Sequence, residues 1–538
     1  MEASSSRQPR MSIFKRPLVV TAVLSLAILA APSVYFLSQF PPLWRDSDGF
    51  YQISTRPNYL QLLHWPPLYC LCARIPILVG NWIGAHSAHS LLATNSFDEP
   101  ALTESGLFAL VLVQQTLLVV GLLTVCLTIC TRTATRIGLA FLFASQAWLY
   151  AFAQCVGSEA FAHLFVLLVI AAAVVWMRRN GSGKLTNVLL FLALAFAALA
   201  RHINLLLLLL VPFWCGLNLL ASFAYRGSDR RAAGLRSVRR LLRASLISIG
   251  ALAASALVTW VCCSFYHVPY RSRIGYVFQW RLNYLAGLSP AERATRFSRL
   301  TKDLRDPASD YGIKAWEESA SKGESWQTEL LSQAVFAWFQ KNTTLPFRQQ
   351  AYEMDNRLNR ICRWFLLSGD QKLYASIFQD TIHSLGFSPA DIAREPFVST
   401  DLLIGMSKDD RFAAVRGLAS LRHTMGAYEE EWRRLGYCNL WKGWPIIWFA
   451  VAALGLGLLH PFTRGPKLER LFEVVSLVVC GVTLIWANSA VTFLSARFDG
   501  PTCLLFLAAL ACGLDSHYSA NANEQQRTST IDGAEHSR

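Results

Sequence analysis

The chain has 538 residues, 53% of them hydrophobic and 16% charged, against roughly 25% charged in an ordinary soluble domain. The deficit comes from a succession of apolar runs about 20 residues long, the length a helix needs to cross hydrocarbon, and only a helix satisfies its own backbone there; a soluble globular protein is excluded. A formal net charge of +15 does not indicate nucleic acid, because the cations gather in short stretches between the runs, as cytoplasmic loops beside anionic lipid do.

In chain order, a polar, basic start (Arg7, Arg10, Lys15, Arg16) precedes an apolar run at 18–38. It is long for a cleaved signal peptide and many runs follow, so it reads as a retained first span. Further spans are expected at 105–130, 137–154, 159–177, 186–200, 203–222, 244–266, 445–460, 471–493 and 501–514. Residues 186–222 as one helix would reach about 55 Å, against about 30 Å of hydrocarbon. Arg201-His202 is therefore read as a break between two spans.

With the N-terminus inside, the cytoplasmic loops would be 131–136, 178–185, 223–243 and 461–470, and every one is basic, as the positive-inside rule asks. Both termini are then cytoplasmic. The segment 64–85 is fairly apolar but carries Arg74 and three prolines. As a span it would invert everything downstream, so it is read as an interfacial helix in the first external loop.

Residues 267–444 hold no spanning run, and their length suits one soluble domain, mostly helical, on the external side. The expected organisation is an all-α polytopic membrane protein: a transmembrane module at 1–266 with an external loop at 39–104, the external domain at 267–444, spans at 445–514 and a disordered polar tail at 515–538. Most of the thirteen cysteines lie in apolar runs, where they act as small hydrophobes. Cys362 and Cys438 could pair in an oxidising compartment, but no disulfide framework or structural metal is indicated.

Two stretches can carry chemistry. Trp44-Arg45-Asp46-Ser47-Asp48-Gly49 follows Pro41-Pro42 just outside the first span, and Pro and Gly at its ends predict a non-helical segment. Extended, it would turn Asp46 and Asp48 to the same side, where two carboxylates share a metal or split their pKa values so that one serves as base. The same composition also suits an ordinary turn. The second stretch is His64-Trp65-Pro66-Pro67-Leu68-Tyr69, in which His64 and Tyr69 could meet a ligand or anchor an interfacial helix.

An acidic loop after the first span followed by His-x-Pro-Pro-Leu-Tyr resembles the GT-C class of membrane glycosyltransferases, in the branch of aminoarabinose transferases and protein O-mannosyltransferases. That resemblance implies a bundle of about ten spans with interfacial helices, usually an external soluble domain, and a polyprenyl-phosphate-linked sugar as donor. Acceptors would be a glycan, a lipid or a protein, on the non-cytoplasmic face of the plasma or inner membrane. Many members have Asp-Glu where this chain has Asp46-Ser47-Asp48, which leaves open which aspartate is the base. Asp46 is favoured, with Asp48 as helper or metal ligand.

By the same resemblance Glu159, Arg201 with His202, and Arg497 (in Ser495-Ala496-Arg497-Phe498-Asp499-Gly500-Pro501) would bind substrate, the arginines near the lipid phosphate. Each also has a plainer use: a carboxylate at a helix N-terminus is stabilising, and arginines near a bilayer surface snorkel to lipid. No cofactor is required; a divalent cation on Asp48 or Glu159 is compatible. Two other classes remain, a transporter or flippase of lipid-linked or polar substrates and a non-enzymatic envelope assembly protein. Against the first, the ionisable residues cluster at the outer span ends and no duplicated half is visible.

Overall fold

The computed structural model describes residues 16–44, 47–53, 66–84, 101–224, 230–267, 269–270, 272–321, 329–397, 415, 417–421, 436–458, 466–492 and 494–535. Among them the secondary structure is helical apart from one isolated parallel bridge, between Leu43 and Cys155. Among the described residues eight helices are long and apolar enough to cross a membrane: Leu18–Gln39, Pro67–Gly84, Glu104–Ile129, Glu159–Arg178, His202–Phe223, Gly234–Phe265, Leu468–Val491 and Ala496–His517. A ninth is the pair Thr133–Ala144 and Ala147–Ala153, bent by 61°, and Lys184–Ala200 and Ile447–Leu458 are shorter apolar helices. The chain is an all-helical integral membrane protein, and each expected span has a helix in its place.

Two breaks shape the bundle. At Arg201 the backbone turns extended (φ −155°, ψ 137°) and resumes as a 3-10 helix, His202–Leu209, before Leu210–Ala224. The Ala197 carbonyl accepts both the Arg201 N–H at 3.2 Å and the Asn204 side chain at 3.1 Å, which ties the two sides of the interruption together. The second break lies at Ser145-Gln146, where neither Pro nor Gly is present. A distant segment holds it: the Tyr437 hydroxyl donates to the Ala144 carbonyl, and Trp441 Nε1 donates to Ser145 Oγ at 3.0 Å. A side chain inserted at a helix end is an established cause of a kink.

Pro67–Gly84, expected as an interfacial helix, is by length and composition also a candidate span. It packs across the first half of Glu104–Ile129: the Tyr69 hydroxyl meets Gln114 at 3.2 Å, and Gly80 lies against Ser105 and Ala109. That half is about 20 Å long. Its Arg74 is fully buried.

The loops expected on the cytoplasmic side meet at one end of the bundle. Arg178 pairs with Glu473 at 3.3 Å and donates to the Ile129 carbonyl at 2.5 Å, Arg470 pairs with Glu473 at 3.0 Å, and Asp515 Oδ1 accepts from the Thr131 N–H at 2.7 Å. The other end carries the external helices. These build their own core from Phe278, Phe297, Trp316, Val335, Leu358 and Phe365, continuous with Ala490 at the end of a span. Asp370 caps Gln371–Leu385 and receives Arg296 Nε at 2.6 Å and the Tyr284 hydroxyl at 2.8 Å. Burial pushes its carboxyl up, but the hydrogen bonds from Arg296 and Tyr284 outweigh that and hold it at about 2.

Two further expectations change. The polar stretch from 515 continues the last helix, Gly500–Glu535, since no Pro interrupts it and Gly first recurs at Gly533. Among the described residues no disulfide forms, and Cys362 and Cys438 lie in different hydrophobic clusters.

Candidate functional site

The chain leaving the first span is held by backbone pairing. Leu43 N–H donates to the Gln154 carbonyl at 2.9 Å, the Val156 N–H donates to the Leu43 carbonyl at 2.9 Å, and Gln154 Nε2 reaches the Phe40 carbonyl at 2.7 Å. The acidic segment follows directly. From Ser47 it is a short helix, Ser47–Ile53, and not the extended strand the sequence predicts. Gly49 allows this: its Cα lies so close to the Val156 carbonyl that no Cβ would fit. Gln52 Oε1 accepts from the Ser158 N–H at 2.9 Å, and Trp44, Phe50 and Ile53 pack with Tyr69, Val156 and Phe161. Asp46, the side chain of Asp48, and His64 lie outside the described residues.

Tyr69 is buried, its ring edge-on to Phe161 at 5.3 Å and its hydroxyl on Gln114. Gln114 in turn donates to the Ala153 and Cys155 carbonyls, each at 2.9 Å. In this structure Tyr69 braces the segment on which the acidic helix rests.

Three residues far apart in sequence converge where that segment enters the span Glu159–Arg178. Glu159 Oε1 accepts from Arg497 Nε at 2.5 Å and from a second nitrogen of the same guanidinium, and Arg201 approaches it at 3.4 Å. The side chains are 5%, 10% and 16% exposed for Glu159, Arg497 and Arg201, so solvent screens the charges little. Both guanidiniums flank the Phe498 ring, 5.8 Å away for Arg201 and 5.7 Å for Arg497. Within this trio two cations face one carboxylate. Arg201 reaches it because the helix breaks there, and Arg497 because it sits in a four-residue 3-10 turn, Ala496–Asp499. His202, one residue beyond Arg201, is exposed on the surface of the bundle.

Several contributors carry no motif. Gln114, Gln115 and Gln154 lie fully buried in apolar surroundings, and polar side chains inside a span were the available signal. His163, one turn below Glu159, is enclosed by Trp148 at 5.2 Å, Phe152 at 5.5 Å and Gly500. Among the described residues no three His, Cys, Asp or Glu side chains come together to hold a metal ion. An open groove of about 560 Å³ runs beside the approach to the acidic helix, lined by Leu37–Pro42, Glu104, Ser105 and Phe108.

No family model matches the chain, and no curated protein matches it in sequence. Among solved structures it is similar to the archaeal oligosaccharyltransferase AglB from Archaeoglobus fulgidus in complex with an inhibitory peptide and a dolichol-phosphate, at 12% identity and a TM-score of 0.40. The similarity covers 97% of this chain and 52% of that one, so this chain spans about half the length of that structure.

Proposed function

We propose that the chain is a membrane glycosyltransferase that moves a sugar from a polyprenyl-phosphate-linked donor to an acceptor on the non-cytoplasmic face of the plasma or inner membrane. One observation carries the reading. Arg201 and Arg497 close on Glu159 at the end of the bundle, and the helix after Asp46 docks on residues 156–158 immediately before that glutamate. A cationic, poorly solvated site thus adjoins the acidic loop, as displacement of a phosphate by a deprotonated nucleophile requires.

In this reaction Asp46 takes the proton of an acceptor hydroxyl or amine. The nucleophile forms a bond to the anomeric carbon as the bond from that carbon to the phosphate oxygen breaks, and the centre inverts. Arg201 and Arg497 stabilise the charge that grows on the departing polyprenyl phosphate; losing one such donor typically costs about 10²–10³ in rate. Glu159 holds the two guanidiniums at a common point, and Asp48 assists the base or holds a cation. The groove lined by Glu104 suits the acceptor better than the phosphate, since its carboxylate repels an anion. The basic loop cluster faces the cytoplasm in this reading, and 267–444 lies outside with the acceptor.

Asp46→Asn tests the assignment. It should abolish transfer from polyprenyl-phosphate sugars while expression and polyprenyl phosphate binding persist; near-normal transfer would reject Asp46 as the base.

A further inference from the structure

The last part of the external domain passes between the two halves of this site. After Gln371–Leu385 the chain turns through Ser388, which forms a capping box with Asp391, into Pro389–Arg394 and the 3-10 turn Glu395–Phe397. This elbow lies against the arginine-bearing turn. Ser495 Oγ donates to Glu395 Oε1 at 3.3 Å, and the buried Asp499 lies beside Ser384. Ser495 and Asp499 lie two residues before and two after Arg497. Asp499 is 1% exposed, and its Oδ2 meets no hydrogen-bond partner among the described residues.

The elbow's other side reaches the approach to the acidic helix. The Phe397 ring packs edge-on to Phe40 at 5.4 Å and against Phe36 at 6.5 Å, and from Phe40 only Pro41–Arg45 separate it from Asp46. Ile392 and Ala393 belong to the same core as Trp148 and Phe152. The Phe387 carbonyl accepts from the Ile446 N–H at 2.8 Å, which ties the elbow to the start of the next span.

A buried carboxylate is costly unless it is held by hydrogen bonds, so Asp499 is a poor choice for packing alone. The turn that carries it, Ala496–Asp499, runs straight into Gly500–Glu535; the Phe498 N–H bonds the Ser495 carbonyl at 3.1 Å, and Asn488 Nδ2 reaches the Phe498 carbonyl at 3.3 Å.

We propose that the elbow Ser384–Phe397 is a strut between the external domain and the membrane site, with Glu395 and Asp499 as positioning residues for Arg497. A shift of the domain then displaces Arg497 and the approach to Asp46 together, so an acceptor held by the domain acts on both the phosphate site and the base. The inference rests on the function proposed above.

The test uses full-length protein in detergent, with polyprenyl phosphate as probe and hydrogen exchange of 494–500 as a second readout. Loss of the Ser495 hydrogen bond in Glu395→Ala, or of the buried carboxylate in Asp499→Ala, should weaken binding about fivefold and speed exchange in 494–500, leaving exchange in Glu159–Arg178 unchanged. Glu395→Gln keeps an acceptor for Ser495 Oγ and should restore both. Wild-type binding and exchange in the alanine variants, a glutamine variant as weak as alanine, or faster exchange throughout the bundle each overturns the strut. Should the wild type not bind polyprenyl phosphate, the donor reading falls and exchange decides: faster exchange confined to 494–500 supports the strut, and unchanged exchange overturns it.

Discussion

Gly49→Ala is the substitution through which the docking of the acidic helix can be measured. A methyl group there would overlap the Val156 carbonyl oxygen and lie 3.2 Å from its carbon. Carbon-to-oxygen contacts of this kind settle at roughly 3.3–3.6 Å, so the helix or its support must move by about 1 Å. The obstacle is backbone, fixed by the bond from the Val156 N–H to Leu43 and by the Gln114 side chain on the neighbouring Cys155 carbonyl. The mobile partner is therefore Ser47–Ile53, with Asp46 just before it. Overpacking costs about 1–3 kcal/mol, a local penalty at the rim of a large bundle. Misplacing a reacting group by 1 Å costs on the order of 10²-fold in rate. Single-turnover transfer from a panel of polyprenyl-phosphate sugars should fall about 100-fold, with polyprenyl phosphate affinity unchanged. Wild-type transfer would show that the acidic helix is not part of the reacting geometry. Loss of binding along with transfer would refute the claim that the damage is local.

Three further outcomes are expected. Asp370 is held at about 2 by Arg296 and Tyr284, so its ionised form contributes stability that is complete above the usual carboxylate range and disappears as pH falls through about 2. Asn still caps a helix, so Asp370→Asn should melt lower than wild type at neutral pH and converge with it in acid; a pH-independent gap in melting temperature would contradict this. Gly275→Ala would drive a methyl group into the Leu358 and Asn359 backbone and should destabilise the external helices by about 1–3 kcal/mol, seen as earlier proteolysis of 267–444; unchanged protease resistance would contradict the packing. In intact cells an impermeant maleimide should label Ala101→Cys but not Ser182→Cys, and the reverse pattern would invert the orientation.

The features legible in the sequence were those set by length and local chemistry. The spans follow from apolar runs matched to hydrocarbon thickness, and the break at Arg201 from a run too long to cross once. The loops the positive-inside rule assigns to one side do meet at one end, around Arg178, Glu473 and Asp515. The features that were not legible depend on partners remote in sequence. The kink at Ser145-Gln146 is held by Tyr437 and Trp441, nearly 300 positions away. The acidic segment is a helix docked through its glycine against Val156, whereas local turn chemistry suggested a non-helical chain. Glu159, Arg201 and Arg497 were each named from the sequence, but nothing in it shows that one carboxylate oxygen meets both arginines, the second of them 338 residues away.

Binding of polyprenyl phosphate to purified wild type, Arg201→Ala and Arg497→Ala tests most directly whether the two arginines form its site. The wild type should bind saturably, and each substitution should weaken binding by at least about tenfold, the scale of one lost charge-assisted hydrogen bond. Equal binding by all three folded proteins, or none by the wild type, would contradict that site.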